Sequence, residues 1–149
     1  MMDRSLQVLI LTTLFATSGS LFAAESAGTI KSVRGGAQLQ RGALTTPLKV
    51  GDSVEAKDRI VTDAMGSVGV TLSDDTLISV GPRSALTIEE FAFNLTTQAG
   101  ALGVNVVSGT LRMVTGLIAR QSPGSVRINT PNAAIGVRGT DFIVEVPTP

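Results

Sequence analysis

The chain has 149 residues, twelve acidic and twelve basic side chains, and no Cys, His, Trp or Tyr. Balanced charge gives no general field to draw in nucleic acid. The missing residue types remove disulfides, thiolate and imidazole metal ligands, and the usual members of hydrolase triads.

Residues 1–23 have the layout of a secretory signal: Arg4 at the charged end, an apolar stretch from Leu6 to Phe15, small polar residues, and a cleavage boundary after Ala23. The alternative is an uncleaved anchor over residues 6–21. That stretch is interrupted by Thr12, Thr13, Ser18, Gly19 and Ser20, and it is short beside the roughly 20 apolar residues of a spanning helix. Removing the signal leaves about 125 residues, enough for one modest core. The expected domain is 28–146, followed by a short tail at 147–149. The location implied is periplasmic or secreted, with no stable membrane insertion after cleavage.

With Phe as the only aromatic, the core has to come from Val, Ile, Leu and Ala, whose β-branched members favour strands. From Gly28 onward, short apolar runs are separated by turn residues. Arg34-Gly35-Gly36 reads as a hairpin turn between residues 29–33 and 37–40. Gly51-Asp52 reads as an ordinary turn. Residues 67–72 alternate, with Val68, Val70 and Leu72 on one face. Asp74-Asp75 reads as a capped turn, because the spaced acidic loop of a calcium site is missing. Gly81-Pro82-Arg83-Ser84 is another turn. Leu86 and Ile88 then alternate up to Glu89-Glu90, which read as charges closing a strand edge.

Phe91 and Phe93 share a face, either capping the core or forming a sticky strip that offers a partner surface. Residues 94–105, polar and small, read as a loop or irregular crossing. Thr110, Arg112 and Val114 alternate with Leu111 and Met113, Gly116 turns, and residues 117–119 return as a strand. Ser122-Pro123-Gly124-Ser125 is a turn, after which Val126 and Ile128 alternate with Arg127 and Asn129.

The chain is best organised around residues 130–146. An apolar run leads through Gly136-Val137-Arg138-Gly139-Thr140-Asp141 into a strand with Phe142, Val144 and Val146 on one side. Gly136 and Gly139 permit a tight turn, and the planar fork of Arg138 suits a carboxylate. Arg138 is expected to pair with an acidic residue inside the domain and fix the last strand against its neighbour, with an anionic ligand as the alternative. Thr140 and Asp141 tie off the connection.

Strand spacing of roughly 8–12 residues implies an all-β single domain, a sandwich or rolled barrel, with a wound β-solenoid as the alternative. There is no Ser-x-x-Lys motif and no phosphate-cradling loop, so no catalytic, cofactor or metal residue is assigned.

Thr130-Pro131, residues 133–137, Arg138-Gly139-Thr140 and Phe142 resemble the closing motif of the FecR-domain family. Gly51-Asp52, residues 58–62, residues 66–72, residues 74–77 and residues 82–86 support the resemblance. It makes Pro131, Gly136, Arg138, Gly139, Thr140 and Phe142 motif residues and implies a periplasmic all-β interaction domain. Regulatory members carry a cytoplasmic sigma-contacting segment ahead of a membrane helix. The few residues before this apolar run imply instead a stand-alone form, engaging an unknown envelope protein or a glycan.

Overall fold

The structure is a computed structural model describing residues 25–139 and 141–148. The signal at 1–23 and the motif residue Thr140 lie outside the described residues. The strands are β1 (Ser26–Arg34), β2 (Ala37–Arg41), β3 (Leu44–Pro47), β4 (Ser53–Glu55), β5 (Arg59–Thr62), β6 (Ser67–Leu72), β7 (Leu77–Val80), β8 (Ala85–Phe93), β9 (Gly100–Val114), β10 (Val126–Asn129), β11 (Ala134–Val137) and β12 (Asp141–Val146). One short helix, α1 (Leu117–Gln121), follows β9.

The twelve strands of the described residues belong to one sheet curled into a half-barrel. Its pairings are antiparallel except for the parallel pair β9–β10. This is the rolled form of the expected all-β domain, and the solenoid alternative does not apply.

The sheet has two arms that share β9. In one arm the order is β4-β1-β6-β7 and then the second half of β9, with β12 on its far side. In the other the order is β3-β2-β5-β8, the first half of β9, then β10 and β11. The spine of the fold is therefore β9, and residues 130–146 are peripheral to it. Residues 100–105, expected to be irregular, are regular strand held between β8 and β10; only residues 94–99 form a loop.

Four of the chain's passages between the arms lie together along the fold line where the arms meet. Gly35-Gly36 joins β1 to β2, residues 63–66 join β5 to β6, and residues 81–84 join β7 to β8. The fourth crossing is Gly109, where β9 bends with φ +88. Gly35-Gly36 is thus a corner and not the hairpin expected, because β1 pairs with β4 and β6 while β2 pairs with β3 and β5.

Two buried hydroxyl residues serve the backbone that the corner unpairs. Thr62 Oγ1 accepts from Ser84 N at 2.9 Å and donates to Gly81 O at 2.7 Å. Ser84 Oγ accepts from Thr110 N at 2.9 Å. Buried polar groups of this kind are tolerated because each is satisfied.

Strand alternation supplies the core as the sequence implies. Val68, Val70 and Leu72, with Leu111 and Met113, are buried, and Val104, Val106 and Ile128 from the other arm join the same cluster. Residues 117–119 form part of α1 and not a returning strand. Ile118 and Ala119 are buried, so this single turn plugs the half-barrel by packing and not by intrinsic helix stability.

Asp74 positions that turn. Its carboxylate is fully buried and accepts from Thr76 N at 3.1 Å, Thr76 Oγ1 at 2.8 Å and Ile118 N at 3.2 Å. The capped turn expected at Asp74 is present, and it also docks the helix. Asp52 likewise accepts from Lys49 N at 2.9 Å, so this carboxylate caps its own turn.

A second buried carboxylate, Asp58, heads the 58–62 stretch that supports the resemblance, and nothing in the sequence marks its burial or its partner. Arg41 reaches it from β2 with a fork, Nε to Oδ1 at 2.8 Å and Nη2 to Oδ2 at 2.7 Å, and also contacts Glu55 at 3.1 Å. The hydrogen bond and charge of Asp58 raise the Arg41 guanidinium above its ordinary value. This fork ties β2 to the turn between β4 and β5.

Candidate functional site

The arm ends β11 and β12 are consecutive in the chain and lie on opposite sides of an unclosed seam. Among the described residues β11 pairs only with β10, and β12 only with β9, so each offers one unpaired backbone edge. Free edges attract further strands unless they are blunted by charge, proline or cover.

The closing motif builds this seam. Residues 130–133 make the turn from β10: Thr130 N donates to Ala133 O at 2.8 Å, and Ala133 N donates to Thr130 Oγ1 at 3.0 Å. Pro131 is exposed in that turn, where its fixed φ suits the second position. Gly136 is exposed opposite Arg127, and a side chain there would meet nothing within 4 Å. Val137 is buried, Gly139 has φ +143, and Phe142 is half-buried against the core. The alternation of the last strand is as expected, with Val144 and Val146 buried and Ile143 66 % exposed.

Arg138 does not make the ion pair assigned to it. It is exposed, and among the described residues no salt bridge includes it. The carboxylate clamp on the last strand comes from β9, where Arg112 Nε donates to Asp141 Oδ1 at 3.1 Å and Nη2 to Oδ2 at 2.7 Å. Strand register explains this, since Arg112 pairs with Ile143 and Asp141 with Val114, which sets Arg112 and Asp141 on the same outer face two residues out of line. Sequence alternation sets Arg112 on the face opposite Leu111 and Met113 but gives no sign of the partner strand.

The hydrogen bond from Arg112, with its charge, holds the Asp141 carboxyl below its ordinary value of 3.8. A carboxylate lowered in the folded state contributes stability above its unfolded value, and that contribution is lost as pH falls through the folded value. Both partners are exposed, so the effect is local and screened by salt. Acidification below pH 3.8 should loosen β12 before the rest of the sheet, and Arg112→Ala should abolish this step. Amide exchange at Ile143 and Val144 as a function of pH checks both outcomes.

Between the two edges lies an open groove of about 460 Å3 lined by Ile135, Val137, Arg138, Phe142, Ile143 and Val144. Beside it is a hollow of about 330 Å3 that shares Arg138, Gly139 and Asp141 with the groove and adds Arg120 from the end of α1. Arg120 is exposed and was not singled out by sequence.

Phe91 and Phe93 sit elsewhere. They are half-buried against the core at the end of β8, opposite Leu102 and Gly100, and β9 and β10 separate β8 from β11. Leu95 in the adjoining loop is 81 % exposed. Glu89 and Glu90 both line a hollow of about 380 Å3 with Arg127 and Asn129. A register shift between Ile88 and Glu90 interrupts the strand alternation that would otherwise set adjacent side chains on opposite faces.

Comparison with curated proteins and with solved structures returns no match. The profile of the FecR protein family matches residues 58–148, more than half of the chain, running from the buried carboxylate of Asp58 through the spine strand to the seam. The chain therefore belongs to the FecR protein family.

Proposed function

We propose that this chain is a non-catalytic, exported binding domain of the cell envelope that engages a protein partner through the seam between β11 and β12. The observation that carries the reading is where the closing motif falls. Residues 131–136 and Arg138 are exposed, beside two strand edges that have no neighbour among the described residues. Core packing accounts for Val137 and Phe142, but it gives no reason for an uncharged, exposed Ala134-Ile135-Gly136 next to Ile143. Exposed apolar groups beside free edges suit a partner surface.

Family membership supports a role in envelope signalling. The signal-like residues 1–23 support export to the periplasm or beyond. A protein partner fits better than a glycan, because Phe91 and Phe93 pack against the core and the chain has no Trp or Tyr to stack on a sugar.

A photo-crosslinking residue at Ile143, Leu44 or Phe93, in chains expressed in the native envelope, tests this reading. Ile143 is expected to give a discrete protein adduct, and Leu44, equally exposed on the distant strand β3, to give none. An adduct at Phe93 alone would move the binding face to the end of β8. A glycan adduct would replace the partner class.

A further inference from the structure

The chemistry of the seam narrows the partner, on the reading that the seam is the binding face. The groove is apolar on both sides, with Ile135 from β11 and Phe142, Ile143 and Val144 from β12. Its end is basic. Arg138 and Arg120 line the adjoining hollow, both are exposed, and neither makes an ion pair among the described residues. By contrast, Arg41 and Arg112 each hold a carboxylate in a two-bonded fork. The one carboxylate in the hollow, Asp141, is already held by Arg112. Two guanidiniums therefore stand unneutralised where the groove ends. The strand beside them, Ala134–Val137, carries no charge that would repel an added strand.

We propose that the seam takes an extended acidic segment of the partner protein, added as a strand along the free edge of β11. Alternate apolar side chains of that segment fill the groove, and its carboxylates reach Arg138 and Arg120. Backbone pairing supplies affinity in this mode, while side-chain pockets and charge supply specificity. Guanidinium forks favour carboxylates by geometry as well as by charge.

The test uses a fluorescent peptide of alternating Val and Glu, its Val and Lys counterpart, and the full chain, read by fluorescence anisotropy. The Glu peptide should bind and weaken as salt is raised, and the Lys peptide should not bind. The double variant Arg120→Glu with Arg138→Glu should weaken the Glu peptide at least tenfold and admit the Lys peptide. Both positions are exposed, so the circular dichroism spectrum should be unchanged. Equal binding of the two peptides, no binding of the Glu peptide, or indifference to the double reversal overturns the proposal. So does a concentration-dependent dimer that competes with the Glu peptide, since a second copy would then be the occupant. If an Ile143 adduct forms in the envelope while the Glu peptide fails, the seam stands and its acidic partner falls. If no Ile143 adduct forms, the seam itself is wrong.

Discussion

Gly109→Val is expected to remove much of the stability of the folded chain and to lower its urea midpoint sharply. Gly109 has φ +88 at the point where the spine strand crosses from one arm to the other, a region that a β-branched residue strongly avoids. An added Cβ would lie 2.5 Å from Ser84 Cα. Relief would require moving either Ser84, whose hydroxyl accepts from Thr110 N, or the bend in β9 itself. Strain plus overlap should cost about 4 kcal/mol or more, comparable with the whole stability of a small domain at roughly 5–15 kcal/mol. Gly136→Val is the matched control, since Gly136 is exposed with open space around it and its change should stay within about 1 kcal/mol. Urea unfolding followed by circular dichroism separates the two. A Gly109→Val chain that unfolds cooperatively at the wild-type midpoint would mean that the bend does not organise the arms.

Asp74→Ala should be the next most damaging change, at about 3 kcal/mol. The carboxylate is fully buried and accepts three hydrogen bonds, two from Thr76 and one from Ile118 N. Alanine leaves those donors without partners, and each buried group so stranded costs about 1–3 kcal/mol. Part of the loss is recovered if α1 detaches and its amides find water. Exchange at the Ile118 amide should therefore accelerate more than exchange in β6 or β7. Asp74→Asn should fall between the two, because one carbonyl oxygen can still accept from Thr76 N. Wild-type protection of Ile118 in Asp74→Ala would show that α1 is held without the Asp74 carboxylate, by apolar packing and the bonds from Leu117 N to Asp74 O and from Gly116 N to Thr76 Oγ1.

Alternation was legible where a strand is long and one face is buried. Val68, Val70 and Leu72, like Phe142, Val144 and Val146, face the core as their spacing implies. The fold line was not legible. Gly35-Gly36 has the same local chemistry in a hairpin as in a corner, and the difference lies in which distant strands flank it. The polar, small stretch from Thr96 to Gly100 makes residues 94–105 read as a loop, and Gly100, Ala101, Gly103 and Asn105 are weak strand formers. Tertiary pairing on both sides overrides that weakness in β9.

The closing motif was visible, but its role was not. A clamp requires two partners, and the sequence offered Arg138 as the evident cation. Strand register, set by pairings across the sheet, gave that part to Arg112 and left Arg138 at the surface. Asp74 shows the same limit. Its local turn was readable, whereas its bond to Ile118, 44 positions along the chain, was not.

Amide hydrogen exchange on the chain bound to its envelope partner tests the central claim most directly. If the open seam is the binding face, protection should rise at residues 134–137 and 141–146 and stay unchanged in β3 and at the end of β8. Protection concentrated at Leu44–Pro47 or around Phe91 and Phe93, with the β11 and β12 amides exchanging as in the free chain, would contradict it.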